Sequence, residues 1–260
     1  MKPFVRHLLR VVGLVVVCGL SLQIYFLARI GLMAVVDPQS TTFQRSEMRR
    51  IVAEQHQLLW SQQWVDDDRI SDHLKRAVIA SEDAGFTEHS GVEWEALEKA
   101  WEKNLRAEAQ AERINERQAK QAARTNRPPP EKPKATPKIV GGSTITQQLA
   151  KNLFLSGERN FLRKGQEFVI TFMLEGTLSK RRILEIYLNN VEWGEGLFGA
   201  QAAARHYFHV NADKLGAYPA ARLAVMLPAP KRFEKRPNSA YVMGRAGTVV
   251  ARMGSVELPE

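Results

Sequence analysis

The sequence predicts a mainly α-helical protein carrying one N-terminal membrane-spanning helix. Three observations lead there. Residues 11–28 form an uncharged run of 18. Beyond it, apolar residues recur at helical spacing in segments punctuated by Gly and Pro, and period-2 strand patterns are sparse.

The first element is the anchor. Eighteen residues rise about 27 Å, and the apolar stretch continues past Arg29 to Val36, enough for a hydrocarbon layer of about 30 Å. The run is long for a signal peptide and lacks a clear small-x-small site, so an uncleaved anchor over 11–36 is expected. Lys2, Arg6 and Arg10 precede it and only Arg29 follows closely, which predicts a cytoplasmic N-terminus, residues 1–10.

Residues 37–72 hold amphipathic pieces with Trp60 and Trp64 whose role the sequence does not reveal. A helix is expected from His73 to Ala84, with Leu74, Ala77 and Val78 in phase and Gly85 as the stop. Trp94, Leu97 and Trp101 mark another, which runs into a charged stretch ending at Pro128-Pro129-Pro130. With few large apolar residues to bury, residues 106–138 read as an insertion: a solvated helix, then a stiff or disordered linker. A helix then opens at Thr144, where Gln147 completes a capping box and Ile145, Leu149 and Leu153 form an apolar stripe. Helices follow over 161–178, 179–190, 199–208 and 219–227, giving a body over 45–240 and a polar tail over 241–260.

The formal net charge of +9 is unevenly placed. Residues 1–36 hold four basic and no acidic residues, 102–138 hold ten and five, and the remainder is balanced at 23 against 23. A neutral body without a helix-turn-helix, zinc-finger or aromatic binding pattern argues against a nucleic-acid partner. The single cysteine, Cys18, excludes an internal disulfide, and the six histidines show no zinc-ligand spacing.

Several residues could carry chemistry. Glu82 and Asp83 fall in the last turn of their helix, at the negative end of its dipole, where proton binding is favoured. A raised pKa suits a general base, although exposed acidic residues at helix ends are common. Arg163, Glu167, Thr171 and Glu175 recur every four residues along an otherwise greasy helix, either as a solvated face or as the wall of a site. Gly194 to Gly199 matches G-x-G-x-x-G, but a helix rather than a strand precedes it, so tight backbone approach is the better reading. His206 and His209 lack a third metal ligand.

Taken together and in order, five segments resemble the motifs of the peptidoglycan glycosyltransferases, glycosyltransferase family 51. They are Glu82-Asp83-Ala84-Gly85-Phe86-Thr87-Glu88-His89-Ser90-Gly91, Gly142-Ser143-Thr144-Ile145-Thr146-Gln147-Gln148-Leu149-Ala150-Lys151-Asn152, Arg163-Lys164-Gly165-Gln166-Glu167, Lys180 to Asn189, and Gly194 to Gly199 with Ala202-Ala203. No stretch remains for a transpeptidase domain, so the resemblance is to monofunctional members. The family usually has a short link where this chain has 106–138.

The resemblance implies a lysozyme-like, two-lobed, mainly α glycosyltransferase domain over 45–240. It implies polymerisation of lipid II into β-1,4 glycan strands, by inverting transfer of a lipid-linked glycan to the GlcNAc 4-hydroxyl with release of undecaprenyl diphosphate. In that reading Glu82 is the general base and Glu167 the second essential carboxylate, serving orientation, hydrogen bonding or the departing diphosphate. Lys151 and Arg159 contact the diphosphate; Ser143, Thr144, Gln147 and Gln148 contact sugar or phosphate. Asp83, Phe86, His89, Arg163, Lys164, Glu185 and Asn189 are either binding or architectural. No cofactor is obligatory, and a divalent cation assisting the diphosphate is compatible with the scheme. The implied partners are lipid II, the growing lipid-linked glycan, membrane lipid and other cell-wall synthesis and division proteins. The implied location is the bacterial inner membrane, single-pass, with the catalytic domain periplasmic. A lysozyme-like hydrolase or lytic transglycosylase also uses paired carboxylates, but the cations at 151 and 159 favour a diphosphate leaving group.

Overall fold

A computed structural model describes residues 3–125, 135–136, 141–155 and 161–260, without the side chains of 3, 121–125 and 161. The chain is mainly α and divides into two compact units, one of residues 1–91 with 144–260 and one of residues 92–143.

In the larger unit, α1 spans Pro3–Leu32. It starts earlier and stops earlier than the expected 11–36 segment. Pro3 is tolerated in a first turn, while β-branched Val35 and Val36 and then Pro38 disfavour continuation, so the helix ends in a turn in which Val36 N–H bonds to the Leu32 carbonyl at 2.9 Å. Its exposed part is apolar between Arg10 and Arg29, but Phe26, Ile30 and, just beyond the helix, Met33 are buried in the core, and Phe26 meets Phe154 edge-on at 5.2 Å.

Helix α2, Thr42–Gln55, is a defined helix where the sequence yielded only amphipathic pieces. Thr41 and Gln44 form a capping box, and His56 closes the helix in the left-handed conformation. Helix α3, Asp72–Glu82, buries Leu74, Ala77, Val78 and Ile79, and ends two residues before the expected Ala84 because Asp83 leaves helical geometry.

The smaller unit contains α4, Trp94–Thr125. The expected insertion boundary at 106 therefore falls inside a continuous helix, whose outer surface carries i,i+4 pairs Glu95–Lys99 and Glu102–Arg106, both at 3.1 Å. Residues 135 and 142 lie beside it. Ala135 exchanges two hydrogen bonds with the Asn115 amide (2.8 and 3.1 Å), and a Cβ on Gly142 would lie 2.9 Å from that of Ala100. The triple proline lies outside the described residues.

Back in the larger unit come α5 (Ile145–Phe154), α6 (Phe161–Thr177), α7 (Lys180–Asn190), α8 (Ala200–Phe208), α9 (Ala217–Met226), the single turn α10 (Pro230–Phe233) and α11 (Ala240–Met253). Helix α5 packs on α2, α6 and α7; α6 also packs on α1; and α3, α9 and α11 pack mutually. Helix α11 replaces the expected polar tail. Val242, Ala246, Val249 and Met253 form a buried stripe at helical spacing that Gly244, Gly247 and the intervening arginines obscure in the sequence.

A small sheet, ordered β1–β3–β2, joins Ser61–Gln62 (β1), Glu192–Gly194 (β2) and Leu197–Phe198 (β3). The glycines serve close approach: a Cβ on Gly196 (φ +69°) would lie 2.1 Å from the Leu59 carbonyl oxygen, and one on Gly199 (φ +82°) 2.7 Å from that of Asn189. His206 is exposed on α8 and His209 is its left-handed cap.

Candidate active site

Helix α3 delivers Glu82 and Asp83 side by side, and the change of backbone conformation at Asp83 sends them to different partners. Asp83 is almost fully buried. One of its oxygens accepts from His89 Nε2 at 2.8 Å and the other from the Ile145 N–H at 2.9 Å, in the first turn of α5. His89 Nδ1 in turn accepts the Gly91 N–H at 3.1 Å, which places the ring proton on Nε2, towards Asp83. A carboxylate at the positive end of α5 is favourable, so Asp83 ties together the end of α3, the 86–91 loop and the start of α5.

Glu82 is only half-buried and takes its hydrogen bond from a neutral amide: Gln148 Nε2 donates to Oε2 at 3.0 Å. The fully buried Tyr187 hydroxyl donates to Oε1 of the same amide at 3.0 Å, so phenol, amide and carboxylate form a directed chain. Burial pushes the Glu82 pKa above the usual carboxylate range; the Gln148 hydrogen bond opposes this and the Asp83 charge adds to it. Tyr187 is pushed up by its burial, then by Glu82 and Asp83, and stays a proton donor at neutral pH.

Helix α5 begins with the expected capping box: Gln147 N–H donates to Thr144 Oγ1 at 3.2 Å and Thr144 N–H to Gln147 Oε1 at 3.1 Å. Thr144 Oγ1 also donates to the Gly91 carbonyl at 2.7 Å. Both side chains are buried at this cap. Lys151 is exposed in the last turn of α5.

On α6 the four-residue polar repeat faces inward. Thr171 is fully buried and Glu167 is 4% exposed, paired with Arg163 at 3.3 Å and with Lys164. Thr146 Oγ1 and Lys180 Nζ both donate to Glu175 Oε1, at 2.6 and 2.8 Å. Gly91 (φ +85°) presses on this stripe, where a Cβ would come within 2.7 Å of Thr171 Cγ2. The solvated-face alternative for the repeat therefore falls.

Glu185 and Asn189, on α7, hold the 65–67 segment. Glu185 Oε1 accepts the Asp67 N–H at 3.0 Å, and the Asn189 amide bonds the Val65 N–H and carbonyl, each at 2.9 Å. Phe86 is buried beneath Lys180, whose Nζ lies 4.6 Å from the ring centre. Ser143 is exposed at the end of the smaller unit, and Arg159 lies outside the described residues. Sequence reasoning missed Tyr187. Its one signal was a phenol on the buried face of a helix, where a hydroxyl requires a partner.

A helical domain with a carboxylate of raised pKa at the end of α3, oriented by a neutral donor, and an inward-facing carboxylate held by cations on α6 has the equipment of an acid–base enzyme of glycosyl groups. The comparisons agree. The family model described as Transglycosylase matches residues 49–127 and 130–254. A biosynthetic peptidoglycan transglycosylase of Bordetella pertussis is 47% identical over 264 residues, covering 99% of each chain. Proteins of the same description from Janthinobacterium sp. (strain Marseille) and Herminiimonas arsenicoxydans are 45% and 48% identical, covering 100% and 92% of each chain. The chain belongs to the transglycosylase family and is an enzyme of the glycosyltransferase class, with one apolar N-terminal helix long enough to anchor it in a membrane.

Proposed function

We propose that this transglycosylase polymerises lipid II into β-1,4 glycan strands of peptidoglycan, releasing undecaprenyl diphosphate. The observation that carries the reading is the Tyr187–Gln148–Glu82 chain, which aims a carboxylate of raised basicity through a neutral amide. Glu82 takes the proton from the GlcNAc 4-hydroxyl of lipid II as that oxygen attacks C1 of the lipid-linked glycan. The C1–oxygen bond to the diphosphate breaks on the opposite face, inverting the anomeric centre. Negative charge grows on the departing diphosphate, and Lys151 and Arg159 are the side chains assigned to meet it, the lysine as a point charge and the arginine as a two-pronged donor. Glu167, held by Arg163 and Lys164, keeps those cations oriented along α6. No obligatory cofactor enters the reading.

The enzyme is placed in the bacterial inner membrane, N-terminus inside and catalytic unit periplasmic, a reading supported by Lys2, Arg6 and Arg10 before the apolar run. Purified protein supplied with labelled lipid II in bilayers tests the activity: polymer and undecaprenyl diphosphate are expected. Cleavage of preformed glycan with no polymer would assign a hydrolase or lytic enzyme instead, and neither product would point to a scaffold.

A further inference from the structure

Gln23 of α1 and Gln166 of α6 face each other and exchange two hydrogen bonds, Nε2 of each donating to Oε1 of the other at 2.9 Å. Gln23 lies inside the uncharged run, six residues before Arg29 and thus about 9 Å deeper along the helix axis. The pair is partly buried, and an amide left there without a partner is costly. A reciprocal pair satisfies one donor and the acceptor of each side chain at once. The same face of α1 is fixed further along by buried Phe26 and Ile30 and, just beyond the helix, Met33.

Gln166 directly precedes Glu167 on α6. The two side chains point about 100° apart around the axis, so Gln166 meets α1 while Glu167 turns inward to Arg163 and Lys164. Gly165 lies beside them, with nothing among the described residues within 4 Å of where its Cβ would be, and glycine gives this turn of α6 weak helix propensity.

We infer that the amide pair is a rotational clasp, and that Gln23, a residue of the membrane helix, is a positioning residue for the Glu167 carboxylate. The inference rests on Glu167 acting in glycosyl transfer. A rotation of α6 by about 15° moves a group at a radius of about 6 Å by about 1.5 Å. Displacements of that size at reacting groups lower rates substantially.

The test is steady-state polymerisation of lipid II by the full-length enzyme in bilayers, comparing Gln23→Leu, Gln166→Leu and the double variant, with thermal stability measured on each and Glu167→Gln as a separate control. Each single variant strands one amide, whereas the double replaces the pair by an apolar contact. The expected result is a kcat about threefold to tenfold lower in each single variant at unchanged KM, with recovery to within about twofold of wild type in the double. Wild-type kcat in the singles, losses that multiply in the double, or lowered stability at unchanged kcat overturns the clasp. If Glu167→Gln is fully active, the reading of Glu167 has failed; if that variant is inactive and the singles behave as wild type, the clasp alone has failed.

Discussion

Replacing Glu192 by Gln should make the protein more stable at pH 8 and leave it unchanged at acid pH. Glu192, on β2, is 7% exposed, with Lys231 Nζ 3.5 Å from Oε1. Lys231 also pairs with Glu47 of α2, while Glu234 accepts the Glu195 N–H at 2.6 Å. Burial pushes the Glu192 pKa from 4.5 to about 7; Lys231 opposes the rise, and Glu47 and Glu234 add to it. The folded state thus holds a proton that the unfolded chain releases near 4.5. The stabilisation is fully present below 4.5 and is lost as pH rises through about 7, a span worth on the order of 3 kcal/mol. Gln keeps the neutral, uncharged form at every pH. Denaturant unfolding of wild type and Glu192→Gln in the same detergent, from pH 4 to 8.5, should give curves that coincide at the acid end and diverge with the variant higher. A gap that does not change with pH, or a variant less stable at pH 8, would refute the argument and show Glu192 to be a net stabilising ion-pair partner of Lys231.

Glu82→Gln should keep the fold and lipid II binding but lower polymerisation about 100-fold or more, the scale of losing a general base. The wild-type rate should rise with pH along a limb displaced above the ordinary carboxylate range, and the residual rate of Glu82→Gln should lack that limb; near-normal turnover by the folded variant would sink the assignment. Tyr187→Phe removes the donor that orients Gln148 and should cost about twofold to tenfold in kcat with Glu82 still titrating. Lys151→Ala and Arg159→Ala should slow the step in which the diphosphate departs, read by single-turnover kinetics; normal turnover with lowered thermal stability would make both residues structural. Deleting 106–138 with a short flexible link should leave activity largely intact, because residues 94–105 and the Gly142 contact with Ala100 remain. Inactivity in detergent would show that the segment shapes the cleft, while activity in detergent but not on anionic bilayers would show that its basic residues hold the membrane surface.

What the sequence made legible was local. The Thr144–Gln147 cap, the placement of Glu82 at a helix end and the need for glycine at 196 and 199 each follow from neighbours in the chain, and each has its counterpart in the structure. What it hid was tertiary. Arg163, Glu167, Thr171 and Glu175 read equally well as a wet face or a buried one, because i,i+4 spacing is blind to what lies opposite; Gly91 pressing on Thr171 decides it. Tyr187 sits among Ile183, Leu184, Ile186 and Leu188, a context that signals core and nothing else. Helix α11 escaped because glycines and arginines interrupt its stripe of Val242, Ala246, Val249 and Met253, and one of the helices it packs on, α3, lies far back in the chain.

The hydrogen bond from Thr144 to the Gly91 carbonyl means that the chain leaves the larger unit and re-enters it at one point. Closing a flexible connection at a fixed mouth costs entropy that grows only with the logarithm of its length, so halving or doubling such a connection changes that cost by about 0.6 kcal/mol. Sequence length there can drift almost without thermodynamic consequence, while the atoms at the mouth cannot, since Asp83 joins them to Glu82 through Ile145. The excursion is in this sense a natural port: a foreign domain whose own termini lie close together could be spliced in place of residues 106–138 and report on the enzyme without displacing its base.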